Sequence, residues 1–182
     1  MSDGAKAAYI SHYGLRTKRL KEMIHWYQTV FGAKIQHEND FLAFMTFDEE
    51  HHRLVIWEDA TTVDKPETAA GIDHVGYGLA SFGDLVAAYE RLKAGGIAPF
   101  LPLNHRLTTS LYYHDPDGNE VELSVDNFPT KEEGTNFIRS DDMAEIGRPP
   151  FGYRFDPDEL ARLYHNGVPE EQLARIGIPH GD

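Results

Sequence analysis

Two histidines and a glutamate lie within segments of this sequence that are predicted to be β-strands. His12 lies in YISHYGL, His74 in GIDHVGYGL and Glu122 in NEVELSV. Side chains alternate between the two faces of a strand, so each polar residue is predicted to point away from the apolar face. Two imidazoles and one carboxylate facing one cavity are the ligand set of a non-haem Fe(II) centre with open coordination positions.

A repeat of 62 residues relates the two histidines. After each histidine the apolar residues follow the spacing of an amphipathic helix, and glycines follow the helix. These residues are Leu20, Met23, Ile24, Tyr27 and Val30 in the first copy, and Phe82, Leu85, Val86, Tyr89 and Leu92 in the second. Three strand-like segments come next in each copy. A single inward histidine is more often a hydrogen-bonded core residue, but equivalent positions in two copies favour metal binding.

The repeat predicts an α+β fold made of two βαβββ modules, residues 8–58 and 71–126, with a linker at 59–70. One module cannot bury its sheet face alone, so the two are expected to pair into a half-open barrel around a metal cavity. Residues 127–182 lie outside the repeat and carry helix start and stop signals, for example in FDPDELARLYHNG. We expect a C-terminal helical extension that packs on the domain or on a partner subunit.

The hairpin that leads to Glu122 adds a phenol to this set. Its Pro-Asp-Gly loop ends in a glycine that favours a positive φ. If Asp115 pairs with Asn119, Tyr112 lies directly opposite Glu122. The alternative, that Tyr112 is only a cross-strand packing partner, does not account for the neighbouring His105.

Composition argues against several classes of protein. The 182 residues include no cysteine, which excludes disulfides and cysteine metal sites, and the net charge is −13. This charge argues against binding to nucleic acid or to an anionic membrane surface. No apolar segment is long enough to span a bilayer, and MSDGAKAAYI lacks the apolar core of a signal peptide. We expect a cytoplasmic protein without nucleic-acid or membrane partners.

With these motifs the sequence resembles the vicinal oxygen chelate superfamily, which includes glyoxalase I, bleomycin-resistance proteins and extradiol ring-cleaving dioxygenases. The resemblance covers about residues 8–126, through ISHYGLRTKRLKEMIHWYQTVFGAKI, GIDHVGYGL and HDPDGNEVEL. It implies metal ligands at His12, His74 and Glu122, as the strand faces do. The short chain is similar to the single-domain branch that acts on biphenyl-2,3-diol or catechol.

Two further segments resemble the extradiol branch in particular. EEHHRLVI is similar to the strand with one active-site histidine, and LNHRLTTSLYY to the stretch with a second one and a tyrosine ten residues before the glutamate ligand. Matched residue by residue, the two segments imply catalytic roles for His51, His105 and Tyr112. His51 is preferred to His52, which alternation puts on the packing face. His105 lies closer to Tyr112 than in the large two-domain dioxygenases.

The implied function is extradiol cleavage of a catechol-type aromatic diol by O₂, with Fe(II) as the cofactor and Mn(II) as the alternative metal. Aromatic hydrocarbon catabolism and a homo-oligomer, a dimer or larger, are expected. Two other readings stay open. A glyoxalase-like isomerase or lyase uses a fourth ligand, for which Glu58 is the nearest candidate, although alternation points it outward. A binding protein of the bleomycin-resistance type, without metal, conflicts with the intact ligand set.

Overall fold

The computed structural model describes residues 7–66, 68, 70–140 and 151–179. These residues form two compact units. The first unit comprises the residues up to 69 together with Asp115–Gly118, and the second comprises the others. Each unit contains one sheet and is described by itself.

The first unit is built from one helix and four strands. In chain order these are β1 (Tyr13–Thr17), α1 (Leu20–Phe31), β2 (Lys34–Glu38), β3 (Leu42–Thr46) and β4 (Leu54–Glu58). The sheet has the order β1-β4-β3-β2, with β1 parallel to β4 and the other pairs antiparallel. This is the βαβββ module that the first copy of the repeat predicts.

Helix α1 covers this sheet with the apolar face that the periodicity predicts. The five predicted residues of the first copy are all buried: Leu20, Met23, Ile24, Tyr27 and Val30. Gly32 ends the helix with a φ of 64°, a left-handed conformation that favours glycine. At the other end Arg19 provides no side-chain cap, but the Glu58 carboxylate accepts a hydrogen bond from the Leu20 N–H at 3.3 Å. Glu58 therefore helps to begin the helix.

The Asp115–Gly118 loop is anchored on α1. The Tyr27 hydroxyl donates to Asp115 Oδ2 at 3.1 Å, and the Arg19 guanidinium donates to Asp117 Oδ1 at 2.9 Å. Burial raises the pKa of the Tyr27 phenol far above its usual value, so the hydroxyl keeps its proton for this bond. Gly118 has a φ of 79°, as the Pro-Asp-Gly motif predicts. The loop is thus a fixed turn.

The second unit repeats the module and adds the C-terminal segment. Its first elements are β5 (His74–Gly78), α2 (Phe82–Ala94), β6 (Leu101–Asn104), β7 (Thr108–His114) and β8 (Glu120–Asp126). They are followed by α3 (Lys131–Ile138), β9 (Tyr153–Arg154), α4 (Pro157–His165) and α5 (Glu170–Leu173). The sheet order is β5-β8-β7-β6-β9, with β5 parallel to β8.

The second helix also matches its predicted face, whereas one strand is displaced. Phe82, Leu85, Val86, Tyr89 and Leu92 are all buried on α2. The strand expected in IAPFLP, residues 97–102, begins only at Leu101. Gly96 turns the chain with a φ of 80°, and Pro99 has no N–H to donate to a ladder, so regular pairing starts beyond them.

The described part of the C-terminal extension packs on the second unit. Strand β9 pairs antiparallel with β6, and the Tyr89 hydroxyl of α2 donates to Asp158 Oδ1 of α4 at 2.7 Å. Asn104 Nδ2 donates to the carbonyl oxygens of Ala174 and Ile176, both at 2.9 Å. The predicted helix start is present, with Asp156 as N-cap. Residues 141–150 and 180–182 of the predicted extension lie outside the described residues.

Over the described residues each sheet is an open row of strands. The half-open barrel is an arrangement of the two sheets, and it stays a prediction, as do the module boundaries. In the part of the chain that the structure describes, no helix is long and apolar enough to cross a membrane.

Candidate active site

One face of the second unit's sheet carries polar side chains on three neighbouring strands. The register places two rows on this face: His74, Glu120 and His114 in one row, and Gly76, Glu122 and Tyr112 in the next. The other face carries Val121, Leu123 and Tyr113, which are buried. The prediction that Tyr112 lies opposite Glu122 is confirmed by this register, because the loop has the predicted length.

The side chains of His74 on β5 and Glu122 on β8, two neighbouring strands, point towards each other. His74 Nε2 lies 3.2 Å from Glu122 Oε2, and His74 Nδ1 lies 2.8 Å from Asp73 Oδ2. The Asp73 carboxylate can accept a hydrogen bond from His74 Nδ1, which fixes the orientation of the ring and leaves Nε2 facing Glu122. The His74 Nε2 atom and the Glu122 carboxylate are therefore close together on the same face of the sheet.

Gly76 makes room for the Glu122 carboxylate. A Cβ atom at this position would lie 2.9 Å from Glu122 Oε2, closer than such contacts occur. A side chain at this position would therefore require the carboxylate to move. Imidazole nitrogen and carboxylate oxygen suit a divalent first-row metal, so this pair fits such an ion. In neither unit do the described residues bring three His, Asp or Glu side chains together in a group that could hold a metal.

Tyr112 and His105 form a hydrogen-bonded pair next to these residues. His105 Nε2 lies 3.0 Å from the Tyr112 hydroxyl oxygen, and His105 Nδ1 bonds to the carbonyl oxygen of Phe151. A carbonyl can only accept, so His105 Nδ1 carries a proton, and in the neutral tautomer Nε2 accepts from the Tyr112 hydroxyl. The Tyr112 ring also meets His74 edge to face, with centroids 5.2 Å apart. Burial, and then the charge of Glu122, raises the pKa of Tyr112 well above its usual value.

Phe100 and His114 extend this site and were not predicted from the sequence. Their rings stack with centroids 3.9 Å apart and an interplanar angle of 13°, and the Phe100 centroid lies 6.4 Å from that of Tyr112. Both side chains are exposed. Alternation along β7 from Tyr112 would have found His114. Phe100 precedes β6, where no periodicity places it.

In the first unit, His12 lies beside His52. His12 is exposed and comes one residue before β1, and its ring centroid is 4.6 Å from that of His52. His52 also meets the Phe44 ring at 5.1 Å, edge to face. His51 is exposed, with its Nδ1 2.5 Å from Nδ1 of His52. Desolvation, and then the charges of His51 and His12, lowers the pKa of His52.

The prediction that His52 lies on the packing face is wrong. It assumed that alternation continues back from Leu54, but β4 begins at that residue, so the preceding chain is not a strand. Phe44 pairs with Val55, so its side chain lies on the face opposite Leu54 and Ile56. His52 contacts Phe44 and therefore lies on this inner face rather than on the packing face. The catalytic role of His51 itself stays a prediction.

Glu58 lies on the helix side of the first sheet, as alternation predicts. Its carboxylate accepts from the N–H of Leu20 at the start of α1. A carboxylate is stabilised there by the unpaired N–H groups and by the helix dipole. This role accounts for Glu58 without a metal.

Comparison with known proteins identifies the family. The model of the Glyoxalase/Bleomycin resistance protein/Dioxygenase superfamily matches residues 9–123. Biphenyl-2,3-diol 1,2-dioxygenase 2 of Rhodococcus globerulus is 42% identical over 164 residues, which cover 90% of this chain and 85% of that protein. Biphenyl-2,3-diol 1,2-dioxygenase 3 of the same organism is 39% identical over 166 residues, covering 90% and 86%.

Solved structures share the fold. The crystal structure of a glyoxylase/bleomycin resistance protein/dioxygenase domain from Frankia sp. EAN1pec matches with a TM-score of 0.58 and 20% identity, over 70% of this chain and 98% of that chain. At this identity the likeness concerns the fold alone. The family model spans most of both modules, and the resemblance read from the motifs is confirmed. The chain belongs to the Glyoxalase/Bleomycin resistance protein/Dioxygenase superfamily.

Proposed function

We propose that this protein is an extradiol dioxygenase that opens the ring of a catechol-type aromatic diol with O₂. The two Rhodococcus relatives, which match 90% of the chain, are named biphenyl-2,3-diol 1,2-dioxygenases and support this enzyme class. The structural observation that carries the proposal is the His105–Tyr112 pair beside His74 and Glu122. Ring cleavage needs a phenol and an imidazole there, whereas isomerisation and simple binding do not.

The proposed cofactor is Fe(II), with Mn(II) as the alternative metal. His74 and Glu122 would hold it, since their nitrogen and oxygen atoms converge and Gly76 leaves the carboxylate its space. His12 is the proposed third ligand, because it is the counterpart of His74 in the repeat. Such an ion, when bound, supplies adjacent positions for both diol oxygens and O₂ and lowers the pKa of a bound hydroxyl.

The His105–Tyr112 pair would move the substrate proton. His105 keeps its Nδ1 proton on the Phe151 carbonyl, so its Nε2 would be the nitrogen that accepts a proton. A hydroxyl proton of the diol can reach this nitrogen directly or through the Tyr112 hydroxyl, which lies 3.0 Å away. A positioned acceptor of this kind contributes roughly 10²–10⁴-fold to a rate.

A second histidine would act on the oxygen side of the substrate, where it stabilises a charged oxygen and then delivers a proton. The resemblance assigns this role to His51. The contact of the His52 ring with His12, at 4.6 Å between centroids, instead supports His52. The two adjacent histidines are therefore the candidates for one role.

A glyoxalase-like isomerase has less support. It would need Glu58 as a further ligand, but this carboxylate accepts from the α1 backbone at Leu20. It would also leave the bond between His105 and Tyr112 without a function. The remaining expectations are a cytoplasmic location, a role in aromatic hydrocarbon catabolism and a homo-oligomeric assembly, which derive from the sequence.

Oxygen uptake tests the proposal. The full chain is loaded with Fe(II) without air and then mixed with catechol, 3-methylcatechol or biphenyl-2,3-diol in an oxygen electrode. We expect one O₂ consumed per diol, with a ring-opened product that absorbs in the visible range. In parallel, the hemithioacetal of methylglyoxal and glutathione is offered to the same protein. Isomerisation of that compound, with no oxygen uptake on any diol, would contradict the proposal.

A further inference from the structure

The second unit contains a cavity of about 390 Å³ that is separate from the candidate active site. It lies where α3, the chain after β6 and the turn after α5 meet. Its lining includes two arginines, two phenylalanines, an amide and a carboxylate: Arg106, Arg175, Phe128, Phe137, Asn127 and Glu171. Ligand pockets for small molecules begin at about 300 Å³, so a single-ring compound fits this volume.

Arg106 enters this cavity in a strained conformation. Among the described residues it is the one non-glycine residue with a positive φ, which is 65°. Its N–H donates to Asn104 Oδ1 at 2.8 Å, and its carbonyl oxygen accepts from Asn127 Nδ2 at 3.1 Å. Non-glycine residues in this region are retained where the surroundings hold them, and they cluster at ligand sites. The two asparagines thus hold the backbone of Arg106, which lines the cavity, in this conformation.

The cavity combines an aromatic wall with guanidinium groups. The Phe128 and Phe137 rings lie 5.2 Å apart at 36°, and the Arg106 guanidinium carbon lies 5.4 Å from the Phe137 centroid. Arg175 brings a second guanidinium. Guanidinium forks bind carboxylates through paired hydrogen bonds, and aromatic faces receive flat apolar groups. This basic pair contrasts with the net charge of −13 of the whole chain.

We infer that this cavity is a second ligand site, which binds a small aromatic carboxylate between Arg106, Arg175 and the Phe128–Phe137 wall. The carboxylate would bridge the two guanidinium groups, and the ring would lie on the phenylalanines. Arg106 directly follows His105, so a ligand there restrains the loop that positions His105. Binding itself does not depend on the proposed ring cleavage, and the two are tested separately.

Calorimetric titration of the full chain with benzoate, at low salt, tests the site. Benzamide serves as the neutral counterpart of benzoate, and inorganic phosphate as an anion without a ring. We expect one saturable benzoate site, with benzamide and phosphate each about tenfold weaker or more, because one charged contact or the aromatic packing is lost. Equal binding of benzamide would overturn the inference, and so would equal binding of phosphate or the absence of a saturable benzoate site.

Four variants locate the site. Arg175→Gln and Arg106→Gln should each weaken benzoate binding about tenfold or more. Glu171→Gln should strengthen it, since a like charge is removed. Arg162→Gln is the matched control, because Arg162 pairs with Glu159 on α4, outside the cavity lining, and should leave binding unchanged. Unchanged affinity in both Arg175→Gln and Arg106→Gln would overturn the inference, provided that both variants keep the wild-type circular dichroism spectrum.

Discussion

The Asp73 carboxylate lies 2.8 Å from Nδ1 of His74 and fixes the orientation of a proposed metal ligand. Asp73→Ala should therefore weaken metal affinity by about 10–100-fold, the range for loss of such an outer partner. Asp73→Asn keeps an acceptor oxygen and should fall between wild type and Asp73→Ala. Metal titration of the three proteins measures the effect. Equal affinities in all three would show that Asp73 does not position His74.

A side chain at position 76 should displace the Glu122 carboxylate, whereas a side chain at position 78 should not. A Cβ at position 76 would lie 2.9 Å from Glu122 Oε2, whereas a Cβ at position 78 meets nothing within 4 Å. Gly76→Ala should displace the carboxylate and lower metal affinity about tenfold or more, as losses around a metal site do. Gly78→Ala is the matched control and should bind metal like wild type. The account is contradicted if both alanine variants bind equally well.

Tyr112→Phe should separate metal binding from turnover. We expect the variant to retain its metal while kcat for diol cleavage falls roughly 10²–10⁴-fold, because a positioned proton donor or acceptor is lost. Tyr113→Phe is the control on the opposite face, where the hydroxyl is buried without a hydrogen-bond partner among the described residues. That variant should keep wild-type kcat. Unchanged turnover in Tyr112→Phe would remove this residue from the mechanism.

The adjacent histidines can be distinguished by kinetics. His52 contacts His12, whereas His51 is exposed. His52→Ala should therefore lower kcat/KM at least about tenfold more than His51→Ala, and the difference should grow at low oxygen concentration. We expect this difference because a positioned proton donor or acceptor contributes strongly to the rate. The opposite order would return the role to His51, as the resemblance implies.

Much of the fold follows from local pattern. The apolar spacing of α1 and α2 predicts their buried faces, and the length of the Pro-Asp-Gly loop sets the register that pairs Tyr112 with Glu122. Both are short-range constraints, so a single sequence carries them. The alternation of side chains between the two faces of a strand does not predict the position of His52. Alternation holds only within a strand, and β4 begins at Leu54.

Other parts of the site depend on contacts that no periodicity encodes. The Phe100 ring stacks on the His114 ring, although Phe100 lies before the start of β6. Arg106 has a positive φ, although it is neither a glycine nor an asparagine, so its residue type does not predict this conformation. Hydrogen bonds to Asn104 and Asn127 hold the conformation. The bond to Asn104 is local, but the contacts with Asn127 and His114 join residues that are far apart in the sequence, so the sequence pattern does not predict them.

The most direct test of the proposed activity is the fate of labelled oxygen. The iron-loaded chain is given ¹⁸O₂ and biphenyl-2,3-diol, and the product is analysed by mass spectrometry. Ring cleavage by a dioxygenase predicts a ring-opened product that gains both atoms of one O₂ molecule, and no such product from Glu122→Ala. Recovery of the diol unchanged, or oxidation to a quinone without labelled oxygen, would contradict the account.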